Sequence, residues 1–234
     1  MKKHTILFLA ANPSGTDRLA LDREARAIQV ELERSGYRDC FEFETRWAVE
    51  PLDLLRELRR LKPTVVHFSG HGGRVAAGAG EHRPGQAPRR DVDAGSSGGG
   101  GGDGGGGGGG QRYGLFFQGP GGGAQVVTPT AIAETFGAAG ASVKLVVLNA
   151  CYSEVQAEAL LAHVDCVVGM NGSILDDAAR SFAIGFYGGI GEREPIAAAY
   201  KQGKAAIGLD GMHDGERPQL KVRDGVDATR LVLA

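Results

Sequence analysis

Two hydrophobic periods take turns along this chain. Thr5-Ile6-Leu7-Phe8-Leu9-Ala10-Ala11 is an unbroken apolar run, as a strand covered on both faces requires, and Asn12-Pro13-Ser14-Gly15 breaks it. Leu21, Ala25, Ile28 and Leu32 then recur at helical spacing, with Arg23, Glu24, Arg26 and Glu31 on other faces, and Ser35-Gly36 closes that helix. Phe41–Trp47 alternates strictly and reads as a half-exposed strand near a sheet edge. Pro51 opens a second helix with Leu55, Leu58 and Leu61 on one face, ended by Lys62-Pro63. Val65-Val66-His67-Phe68 is the next strand, and it runs straight into Ser69-Gly70-His71-Gly72-Gly73.

Further on, Tyr113–Phe117 and Gln125–Val127 read as the arms of a hairpin. Thr128 and Pro129 are the cap and first residue of a short helix to Phe136. Lys144–Asn149 and Cys166–Met170 are buried strands with a helix near Val155–Ala162 between them. Two helices, over Asp176–Tyr187 and Pro195–Ala206, complete the pattern, and the tail from His213 is too short for a second domain. Strands alternating with helices predict an α/β layer architecture with a mostly parallel sheet.

Composition changes this picture in one place. Of 39 glycines in 234 residues, 13 lie between Gly95 and Gly110, a tract with no side chains to bury. It reads as a disordered insertion at about residues 74–111, within a single domain spanning 1–234. The remainder, about 196 residues, suffices for one core and not for two. The 26 basic and 28 acidic side chains, net charge −2, argue against a nucleic-acid binder working by bulk electrostatics. Cys40, Cys151 and Cys166 form neither a disulfide framework nor a zinc ribbon, and the scattered histidines suggest no metal site, so no metal or cofactor is expected. The apolar run after Met1-Lys2-Lys3-His4 lies at the very bottom of the length range for a secretory core, and no window approaches a membrane span. A cytoplasmic protein with no membrane anchor is the expectation.

Two segments share a local design: a buried strand whose C-terminal end meets small residues and one reactive side chain. One presents His71 between Gly70 and Gly72, the other Cys151 after Ala150. Ligands bind in open α/β sheets beyond the carboxyl ends of the strands. If these strands are neighbours, imidazole and thiol face one crevice, and the imidazole supplies the base that a thiol nucleophile needs. The glycines let the backbone approach a bound carbonyl, so that the Gly72 and Cys151 N–H groups aim at a developing oxyanion. Taken singly, such a cysteine is ordinarily a small hydrophobe and such a histidine a loop residue. His67, inside its strand, reads as structural. No P-loop is present, Ala157 stands where a cysteine phosphatase needs arginine, and no nucleophile elbow surrounds Cys151.

Val65-Val66-His67-Phe68-Ser69-Gly70-His71-Gly72, with Val146-Val147-Leu148-Asn149-Ala150-Cys151-Tyr152-Ser153, resembles the paired motifs of CHAT domains, the caspase-like cysteine peptidases of clan CD. The likeness continues through Leu9–Pro13, Leu19–Asp22, Val168–Gly172 and the Phe182…Phe186-Tyr187 helix. It implies a caspase-like αβα sandwich and an endopeptidase in which Cys151 attacks as thiolate and His71 protonates the leaving amine. Gly72 and Cys151 amides hold the oxyanion, a thioester is then hydrolysed, and no acidic third member is obligatory. It also implies a protein substrate, a pore-forming effector among the candidates, a separate sensor or activator protein, and a role in bacterial defence or cell death. A catalytically weak or inactive caspase-like interaction module is the alternative.

For specificity, Asp176 and Asp177 fall where related peptidases shape the primary pocket and would select arginine or lysine, unless they simply cap their helix. Arg18 would instead favour an acidic residue. If cleavage follows basic residues, Arg83, Arg89 and Arg90 before the glycine tract are a candidate self-processing site.

Overall fold

The computed structural model describes residues 3–75 and 112–233. Six strands form the main sheet: β1 (His4–Ala11), β2 (Phe41–Trp47), β3 (Val65–Val75), β6 (Leu145–Asn149), β7 (Cys166–Met170) and β8 (Pro218–Val222), in the order β2-β1-β3-β6-β7-β8. All neighbours run parallel except β8, which lies antiparallel on β7. Strand alternation splits the core into two. Ile6, Phe8 and Ala10 face α1 (Leu21–Arg34), α5 (Asp176–Gly191) and α6 (Ile196–Leu209). Leu7, Leu9 and Ala11 face α2 (Pro51–Leu61), α3 (Pro129–Ala139) and α4 (Glu154–Leu160). The result is an αβα sandwich, as the resemblance implies, with the mostly parallel sheet that the alternation of patterns predicts.

Three elements depart from the sequence reading in detail. β3 extends past the sheet: its first half is sandwiched between β1 and β6, and from His71 onward it pairs antiparallel with β4 (Arg112–Gln118). β4 in turn pairs with β5 (Ala124–Val127), so the expected hairpin is the outer part of a three-stranded ribbon. The tail contributes β8, an edge strand opened by proline, where the missing N–H costs the sheet nothing on its free side. β2 is an edge strand as expected, yet most of its residues are partly buried on both faces instead of alternating cleanly.

The glycine-rich insertion, with Arg83, Arg89 and Arg90, lies outside the described residues, which resume at Arg112, paired with Val75. Among the described residues no helix is long and apolar enough to cross a membrane.

Candidate active site

Because β1, β3 and β6 are parallel, their carboxyl ends share one edge of the sheet. The last β3–β6 pair is Ser69 with Asn149, which places His71 and Cys151 each two residues beyond the same rung. Adjacent strands lie about 4.8 Å apart. The approach stays close past the rung: a Cβ on Gly72 would overlap the Cys151 carbonyl oxygen and crowd the Ala150 side chain. A Cβ on Gly70 would lie 2.6 Å from the Ala11 carbonyl oxygen. Glycine on both sides of His71 is therefore what lets β3 pass between the ends of β1 and β6.

His71 is 9% exposed. Its Nε2 lies 2.8 Å from the main-chain oxygen of Asp17. A carbonyl only accepts, so Nε2 carries the hydrogen and Nδ1 is the basic nitrogen of the neutral ring. The loop that supplies this carbonyl is held shut by its own side chains. Asn12 Nδ2 donates to Leu19 O at 3.3 Å and Asn12 Oδ1 accepts from Leu19 N at 3.5 Å. Thr16 Oγ1 donates to Pro13 O at 2.7 Å, and Ser14 N donates to Gly122 O at 2.8 Å, tying the loop to the β4–β5 turn. Sequence reasoning missed Asp17, because a main-chain acceptor leaves no side-chain signature. The Asn12-Pro13 strand break was the available clue.

Cys151 is half-buried on the turn between β6 and α4. Its thiol lies 3.6 Å from Ser173 Oγ and donates towards Ile174 O at 3.8 Å. Tyr152, next in the chain, has φ +56°, an unusual backbone for a bulky residue. Its N–H donates to Gly172 O at 2.8 Å, and its ring lies 5.4 Å from the Arg74 guanidinium, which also lies 5.7 Å from the Tyr113 ring. Arg74 thus links the β3–β4 ribbon to the turn carrying the thiol. Ser153, fully buried, donates to Leu148 O and accepts from Met170 N, both at 2.9 Å, fixing that turn between β6 and β7.

Beneath the pair lies a buried carboxylate. Glu24, 2% exposed, meets His67 Nε2 at 2.8 Å, Ser69 Oγ at 2.5 Å and Asn149 Nδ2 at 2.5 Å. Burial alone would push its carboxyl up. The facing His67 and the hydrogen bonds from His67, Ser69 and Asn149 outweigh that and hold it below the usual carboxylate range. His67 stacks on Phe8, ring centroids 4.9 Å apart, and its Nδ1 meets Tyr187 OH at 3.0 Å. Burial, with the Glu24 charge nearby, pushes the Tyr187 phenol well up. Asn149 Nδ2 also donates to Ala179 O at 3.1 Å, while its Oδ1 meets no donor among the described residues.

The three specificity candidates are differently placed. Asp176 is half-buried in the first turn of α5, and its Oδ2 accepts from Ala20 N at 3.0 Å, joining α5 to the loop before α1; the helix is capped from Leu175 without a side-chain bond. Asp177 is exposed and pairs with Arg180 at 2.7 Å. Arg18, next to the residue that holds the imidazole, is exposed on the wall of a cavity of about 230 Å³ shared with Leu21, Asp22, Trp47 and Gln118. Of the other cysteines, Cys166 is fully buried; burial and the adjacent Asp165 push its thiol up to about 11.

A caspase-like fold with a histidine and a cysteine at the ends of neighbouring central strands is the class these features define. A family model for the CHAT domain matches residues 7–214, nearly all of the chain, and the chain belongs to the CHAT domain family, which is related to caspase-like peptidases. No curated protein matches it.

Proposed function

We propose that this chain is a cysteine endopeptidase working through a Cys151–His71 dyad. The observation that carries the reading is the β3–β6 register, which sets the two residues two positions beyond one rung of the sheet. With Nε2 committed to Asp17 O, Nδ1 of His71 is the nitrogen that takes the thiol proton. The Cys151 sulfur then bonds to the scissile carbonyl carbon, and charge builds on the carbonyl oxygen facing the Gly72 and Cys151 N–H groups. The C–N bond breaks as Nδ1–H passes its proton to the leaving amine, leaving a thioester on Cys151. Water, losing a proton to the same nitrogen, cleaves the thioester and returns the thiol.

In the resting arrangement the thiol hydrogen is directed at Ile174 O, a bond that only the protonated form makes. Rotation of the Cys151 side chain turns the sulfur from that acceptor towards the ring, and bound substrate holds it there. The Arg18 cavity receives a substrate side chain, and the guanidinium at its wall favours an acidic one; Asp176, bonded to Ala20, braces the loop that carries Arg18. The substrate is another protein, and an effector role in defence or cell death, released by a separate activator, fits the family. The resting thiol also supports the other reading, an interaction module in which the sulfur never leaves Ile174.

A peptidyl electrophile separates the two. On the peptidase reading, intact-mass analysis shows one adduct on Cys151, lost in His71→Ala. No adduct under any activating condition supports the module.

A further inference from the structure

Glu24 is on the core face of α1, level with Leu21, Ala25 and Ile28, where the neighbouring positions are apolar. A buried carboxylate there is costly unless donors surround it, and three do. Two of those donors are Ser69, two residues before His71, and Asn149, two residues before Cys151, the pair that forms the last rung between the two strands. The third, His67, is two rungs further down β3. The element that carries Glu24 is also the one led by the loop whose Asp17 carbonyl holds the imidazole. Ala20, between that loop and the helix, is tied to α5 through Asp176, and α5 reaches the same network through Tyr187 OH and Ala179 O.

We infer that Glu24 is the positioning residue of the dyad, its one carboxylate locking the thiol's strand, the imidazole's strand and the loop that orients the imidazole into a single register. The inference rests on the dyad reading above. Parallel neighbours such as β3 and β6 could shift against each other while still burying apolar side chains on both faces; a single acceptor shared by one rung forbids the shift. Asn149 supports this: it gives both hydrogens, one to Glu24, while its oxygen meets no donor among the described residues. The side chain is placed for its donors. The carboxylate's partners are His67, Ser69 and Asn149, and Glu24 acts on the dyad through their strands.

The test is the rate of Cys151 alkylation by iodoacetamide against pH, the site located by peptide mass, in wild type, His71→Ala, Ser69→Ala and Glu24→Gln, with thermal unfolding recorded for each. Wild type is expected to react about tenfold faster at neutral pH than His71→Ala, because the imidazole takes the thiol proton. Ser69→Ala and Glu24→Gln are expected to remain folded, with their profiles displaced towards that of His71→Ala. A general packing role would lower the unfolding temperature and leave the Cys151 profile in place; that result, with His71→Ala still displaced, overturns the positioning role while the dyad stands. Coincident profiles for wild type and His71→Ala overturn both. Should Glu24→Gln not fold, Ser69→Ala decides, since it keeps the charge and two of its donors.

Discussion

At the scale of single residues, the site depends on atoms that come closer than side chains allow. Gly72→Ala puts a methyl group into the Cys151 carbonyl. It is expected to lower stability by about 1–3 kcal/mol, as overpacking does, and to slow Cys151 labelling at least tenfold, read by urea unfolding and intact mass. Ser153→Ala leaves the Leu148 carbonyl and the Met170 N–H without the hydroxyl that serves both, at a cost of about 1–3 kcal/mol in the same unfolding measurement. The three thiols also separate. With its thiol raised to about 11 and fully buried, Cys166 is expected to stay unmodified by iodoacetamide at pH 8 in the folded protein and to react once urea unfolds it. His71 and Cys151 were legible in the sequence because each combines a reactive side chain with glycine or alanine at the end of an apolar run. Asp17 was not, since it acts through its carbonyl, and any residue at that place would offer the same atom. His67 read as structural because burial is visible in a pattern and a hydrogen-bonded partner forty-three positions away is not.

Elements show a similar division. Each helix and each parallel strand was readable, because an apolar run or a 3.6-residue stripe records which faces are covered. What the pattern does not record is partnership. The second half of β3 leaves the sheet to pair with β4, and Gly70-His71-Gly72-Gly73 carries no alternation to announce it. β8 is five residues with a leading proline, too short and too polar to stand out until β7 offers it an edge. The contact of α1 with β3 and β6 through Glu24 makes a prediction at this scale. A carboxyl depressed by folding contributes stability that is complete above its unfolded value, about 4.5, and is lost as pH falls through the lower folded value. Wild type is therefore expected to lose stability steeply below pH 4.5, and Glu24→Gln to lose less over that interval, measured as urea midpoints from pH 7 to pH 3. Equal slopes would show that the carboxylate is not held low by its three donors.

For the whole molecule, the sheet edge that gathers the carboxyl ends of β1, β3 and β6 collects the imidazole, its carbonyl anchor, the thiol and the Arg18 cavity on one side. The glycine-rich insertion enters and leaves the fold at Val75 and Arg112, which are already paired across the β3–β4 ribbon. Replacing residues 76–111 with a two-residue Asn-Gly turn is expected to preserve the fold and Cys151 labelling. Shortening the closed loop by about four doublings is worth on the order of 2 kcal/mol. Loss of labelling with the fold intact would assign the insertion a part in the site.

The dyad is tested most directly by a crystal structure of the chain reacted with a peptidyl electrophile. The expected result is a covalent bond from Cys151 Sγ to the former carbonyl carbon, the adduct oxygen at the Gly72 and Cys151 N–H groups, and His71 Nδ1 facing the leaving-group side while Nε2 keeps the Asp17 oxygen. An adduct on another cysteine, or one on Cys151 with the imidazole turned away from it, would contradict the account.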